Sequence, residues 1–117
     1  MKNDQMRDRT KQFALRIIRM YGKLPKRTEA EIMGKQVLRS GTSVAANYRE
    51  ACRARSDAEL IAKLGIVEQE LDETMLWLEL LVDSGIVAVD QMSDLLEEAD
   101  ELIRMTVAAI KTTKART

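Results

Sequence analysis

Leu60, Leu64, Val67, Leu71, Thr74, Leu78 and Leu81 recur at alternating intervals of four and three residues. That spacing is the seam of an α-helix packed against other helices, and no strand shares it. The segment has marked edges. Ser56 with Glu59 three residues on forms a capping box for the first turn, and Gly85 stands where a left-handed residue ends a helix. The far side of the same segment is also apolar. At 100° per residue, Leu76, Trp77 and Leu80 lie roughly 160–260° round from Leu78 and point away from the seam. A helix with apolar residues on both sides needs cover on both sides, so Ile66, Leu76, Trp77 and Leu80 are the expected interface between subunits.

The same period places three more helices, giving spans of about 4–23, 29–55, 57–84 and 91–112. In the first, Met6, Phe13, Ile17, Met20 and Leu24 form the core stripe, with Ala14, Ile18 and Tyr21 widening it. Gly22 and Pro25 end it, because the residue before a proline resists the α conformation. Thr28 and Glu31 form a second capping box. Val37, Gly41, Val44, Tyr48 and Ala51 continue the seam of the second helix. Its run of small residues, 40–47, either admits a neighbouring helix closely or marks a bend. Asp90 is the expected N-cap of the fourth helix, whose seam reads Met92, Leu96, Ala99, Ile103, Thr106 and Ile110. Loops this short make sequential helices antiparallel neighbours. The expected fold is all-α, an antiparallel up-down-up-down four-helix bundle forming a single domain over residues 1–117. Aromatics at 3% and a single proline speak against a β-sandwich.

Composition removes several kinds of chemistry. With no histidine in the chain, a bundle di-metal site built on Glu-x-x-His pairs is excluded, as are histidine relays. No apolar run reaches the roughly 20 residues needed to cross a bilayer. The N-terminal segment lacks the apolar core of a signal peptide. A lone cysteine, Cys52, cannot form an internal disulfide and is read as a small core residue in a protein of the cytoplasm. Two acidic pairs, Glu70 with Glu73 and Glu97 with Asp100, leave one enzymatic alternative. All-helical nucleotide pyrophosphohydrolases hold Mg²⁺ on similar pairs. Against it stand the missing phosphate loop and the commoner reading of such acids as a solvated face. No cofactor, metal or small-molecule substrate is therefore expected.

Charge is balanced overall and uneven along the chain. Residues 1–55 carry 14 Lys/Arg and 5 Asp/Glu, a net of +9, and residues 56–117 carry the reverse. Arg9, Arg16, Arg19 and Lys23 share one narrow face of the first helix. Lys35, Arg39, Arg49 and Arg53 share one face of the second. Two readings compete: ion pairs to the acidic helices, or contacts to phosphates. Few aromatics are available for base stacking, so any nucleic-acid contact is expected to be electrostatic and shape-based. Ser40, Ser43, Asn47 and Glu50, spaced three, four and three, make a polar stripe read as a structural hydrogen-bond network.

The runs 38–51 (LRSGTSVAANYREA) and 72–81 (DETMLWLELL) resemble the small bacterial four helix bundle protein family. Its members are also called 23S ribosomal RNA intervening-sequence proteins, after relatives encoded inside insertions in large-subunit ribosomal RNA genes. The resemblance implies a four-helix subunit assembling as a ring-shaped homopentamer, with no catalytic residues to carry over. It also implies kinship in fold with accessory proteins of diversity-generating retroelements, basic pentamers that bind nucleic acid and a reverse transcriptase. This chain departs from those in being neutral. The expected function is a non-enzymatic, self-associating adaptor for RNA or a ribonucleoprotein, with no membrane partner. The alternatives are a protein-binding scaffold without nucleic-acid affinity and the Mg²⁺-dependent hydrolase.

Overall fold

The computed structural model describes residues 4–117 and consists of four helices: α1 Asp4–Gly22, α2 Thr28–Cys52, α3 Asp57–Asp83 and α4 Val89–Ala115. No strand occurs among the described residues. The bundle measures 48 × 19 × 19 Å. α2 lies between α1 and α3, α4 packs along α3, and α1 meets α4 only lightly. The ring of helices is thus closed firmly on three sides and loosely on the fourth.

Local chemistry accounts for the ends. Ser56 is extended (φ −152°, ψ 161°) and its side chain accepts the Glu59 N–H at 3.1 Å, as the capping box predicts. That extended residue also explains why α2 stops at Cys52 rather than near residue 55: the chain must turn through 53–56 to present the cap. Gly85 has φ +81°. Its N–H bonds to Val82 O and that of Ile86 to Leu81 O, the paired pattern that closes a helix through a left-handed residue. Two expected caps are corrected. Arg27 is the N-cap of α2, with Thr28 already helical, and Ala88 is the N-cap of α4, with Asp90 inside the first turn; neither cap residue bonds through its side chain. Asp90 instead acts as a first-turn charge favourable to the helix dipole, as Glu29 and Glu31 do in α2. α4 runs to Ala115, three residues past expectation, where Arg116 reaches Asp57 at the start of α3 (3.1 Å).

The core is one cluster. Phe13, Ile17, Val37, Val44 and Tyr48 meet all six apolar seam residues of α3, with Met92 and Leu102 from α4. In α4 the buried line runs through Leu95 and Leu102, while the expected Leu96, Ile103 and Ile110 are only partly covered. Both lines have helical spacing, and the position of α3 selects one. Thr10, Thr106 and Thr113 are buried as well. Their hydroxyls donate to carbonyls of their own helices at 2.7–3.0 Å, which removes the penalty of burying a polar group. The small residues of α2 serve close approach, and the helix continues through them. A Cβ on Gly41, within that run, would stand 2.8 Å from Ile17 Cγ1, and one on Gly34, about two turns earlier, 2.7 Å from Leu24 Cδ1. Two further expectations are corrected: Ile18 is exposed, and Cys52 lies exposed at the end of α2 rather than in the core.

Candidate nucleic-acid interface

The two basic stripes ride on adjacent helices but look different ways. The α1 stripe borders α4: Arg9 donates from Nη2 to Glu98 at 2.6 Å and from Nη1 to Glu101 at 3.2 Å. It also reaches Met105 Sδ at 3.3 Å. The Glu98 carboxylate foremost, with Glu101, raises the guanidinium pKa above its ordinary value. The α2 stripe borders α3: Arg39 meets Glu73 closely and Glu70 at 3.4 Å. The same device appears twice. A carboxylate pair one turn apart, Glu98 with Glu101 or Glu70 with Glu73, receives one arginine from the neighbouring helix.

These clamps divide the eight candidate cations. Arg9 and Arg39 are held by the acidic helices, and Lys35 pairs with Glu31 on its own helix at 3.2 Å. Among the described residues, Arg16, Arg19, Lys23, Arg49 and Arg53 have no ion pair or hydrogen bond from their side chains. The stripes are therefore neutralised only in part, at Arg9 on the first and at Lys35 and Arg39 on the second. Of the two acid pairs, the sequence singles out only Glu70 with Glu73. On the fourth helix it points to Glu97 and Asp100, whereas Glu98 and Glu101 receive Arg9, because the register between helices decides which pair faces the arginine.

Glu73 accepts a second donor, Trp77 Nε1, at 3.1 Å. That hydrogen bond first, and Arg39 after it, hold the Glu73 carboxyl below its ordinary value, against the opposing effect of partial burial. Trp77 itself is half-buried against the core of its own chain. The residues that stand out from α3 are Leu76 at 48%, Ile66 at 38% and Leu80 at 37% exposure. Trp77 therefore edges the apolar face and does not crown it.

The polar residues of α2 separate into three arrangements. Ser40 accepts from Thr74 Oγ1 of α3 at 2.8 Å in the interior. Asn47 donates to the Ser43 carbonyl and hydroxyl, both at 2.9 Å, and Glu50 turns outward to Lys63 at 2.6 Å. No three His, Cys, Asp or Glu side chains converge as a metal site among the described residues. Of the carboxylates considered for magnesium, Glu70 and Glu73 face Arg39, and Asp100 pairs with Arg104 at 2.9 Å. No helix of the described residues is long and apolar enough to cross a membrane.

The profile of a family described as 23S rRNA-intervening sequence protein matches residues 2–108. The chain is also similar to a crystal structure of a protein with unknown function from the S23 ribosomal protein family of Bacteroides thetaiotaomicron. The two are 38% identical and superpose with a TM-score of 0.85, over 91% of this chain and 98% of that one. No curated protein matches the sequence.

Proposed function

The chain belongs to the 23S rRNA-intervening sequence protein family, and from that premise we propose that it is a non-catalytic, self-associating module of the cytoplasm that binds RNA or a ribonucleoprotein through phosphates. The observation that carries this reading is the set of five side chains, Arg16, Arg19, Lys23, Arg49 and Arg53, that remain without acidic partners on a chain of zero net charge. If the +9 half existed only to dock the −9 half, the clamps made by Arg9 and Arg39 would be expected along both stripes.

Self-association rests on α3. Leu76 and Leu80 leave apolar side chains in water next to Trp77, with Ile66 about three turns earlier on the same helix, and clustered exposed apolar surface marks contact sites in soluble proteins. A ring of five is the assembly that the family resemblance implies. Repetition of the cations around a ring would raise affinity by avidity without any new contact.

A labelled single-stranded RNA titrated between ~50 and ~200 mM salt tests the reading. Three to five phosphate contacts predict a log–log salt slope of roughly −2 to −3.5. Absent or salt-independent binding would favour the second reading, a protein-binding scaffold whose working surface is the α3 face. A magnesium-dependent hydrolase has less support, because Arg39 already occupies Glu70 and Glu73.

A further inference from the structure

Where α1 and α4 part, near the α3–α4 turn, a cleft of about 560 Å³ opens between them. Its apolar lining is supplied by Met20 of α1, Leu24 of the connection that follows it, Val87 of the α3–α4 turn and the buried Leu95 of α4. Arg16 and Arg19 of α1 and Lys23 just past its end border it, and Asp94 is the one carboxylate on its wall. The volume lies within the range of sites that take a small ligand or one segment of a larger one.

Arg16 and Arg19 stand about one turn apart on α1, and Lys23 follows in the turn just past its end. None has an acidic partner, although Arg9, two turns earlier on the same stripe, is clamped by two glutamates. At this level α4 offers Gln91 and Asp94 in place of a glutamate pair. A duplex could touch only the rim, leaving the apolar wall without a role. An unpaired strand can place phosphates on the rim and turn a base inward, since unstacked bases splay readily and expose their hydrogen-bonding edges. Asp94 can receive a base N–H there, as carboxylates do from exocyclic amines.

We propose that this cleft binds one or two nucleotides of single-stranded RNA, with phosphates on Arg16, Arg19 and Lys23 and a base against Met20, Val87 and Leu95. The inference rests on the RNA reading above and specifies its site and strandedness.

Methionine methyl labelling separates the two. In the full-length protein, a ten-nucleotide single-stranded RNA should shift the Met20 methyl signal while leaving those of Met33 and Met75, outside the cleft, in place. The same strand annealed to its complement as a blunt-ended duplex should not shift Met20. Arg19→Glu with Lys23→Glu, both exposed and therefore compatible with folding, should abolish the Met20 shift and weaken binding at least tenfold. Lys111→Glu with Lys114→Glu, both exposed near the end of α4 and outside the five cations, should leave the shift intact. RNA binding with Met20 unmoved, or a Met20 shift produced equally by an acidic peptide of matched charge, would overturn the cleft and leave the broader RNA reading standing. No RNA binding by the unaltered protein at low salt would remove both.

Discussion

Gly41 of α2 lies against Ile17 of α1 so closely that a Cβ on the glycine would stand 2.8 Å from Ile17 Cγ1 and 3.0 Å from Cγ2. Ile17 is fully buried and has no room to retreat. The helix crossing is therefore set by the absence of a side chain.

Gly41→Ala should destabilise the protein although alanine is the better helix former. Overpacking costs about 1–3 kcal/mol, against a gain of about 1 kcal/mol in propensity. Chemical denaturation should show a net loss. In a double-mutant cycle with Ile17→Ala, the combined loss should be smaller than the sum of the two, because the second change removes the clash.

The Glu73 carboxyl should titrate below its ordinary value near 4.5. A native pKa depressed below the unfolded one stabilises the fold above the unfolded value. That contribution fades as pH falls through the native value. Acidification below about 4.5 should therefore move the Trp77 indole N–H resonance and weaken the fold together. Glu73→Gln should flatten the indole titration and remove this group's share of the pH dependence.

Leu76→Glu with Leu80→Glu should leave helicity unchanged and reduce the native mass to that of a smaller species. Both side chains are exposed within one chain, so their replacement tests association and not folding. Trp77→Ala is the contrasting case. It removes a half-buried ring packed on the core, and is expected to lower thermal stability directly. An unchanged mass for the double variant would count against the α3 face as a subunit contact.

Arg9→Met should loosen α1 from α4. It leaves Glu98, itself largely covered, without its closest cation. A charge-assisted hydrogen bond of this kind contributes about 1.5–3 kcal/mol, less where water still reaches both partners. Because α1 meets α4 only lightly elsewhere, amide exchange should quicken in α1 well before the interior of α3.

The helices, the α3 seam, the Ser56 cap and the Gly85 ending were legible because each depends on residues within a turn or two of one another. Periodicity failed where it was ambiguous. α4 carries two apolar lines one residue apart, and Leu95 and Leu102 won over Leu96 and Ile103 only because α3 lies on that side. Thr28 and Asp90 were sound capping residues displaced by turns that put Arg27 and Ala88 at the boundary. Cys52 was misplaced because its environment is set by where α2 stops.

The stripes of charge show the same division. That Arg9 to Lys23 share a face follows from the pitch of a helix, which the order of residues determines alone. Which of them is clamped by an acid pair and which borders an open cleft depends on the rotation and axial register of α4 against α1. Those were decided by packing, because side-chain volumes at the crossings set how close and at what level two helices can meet.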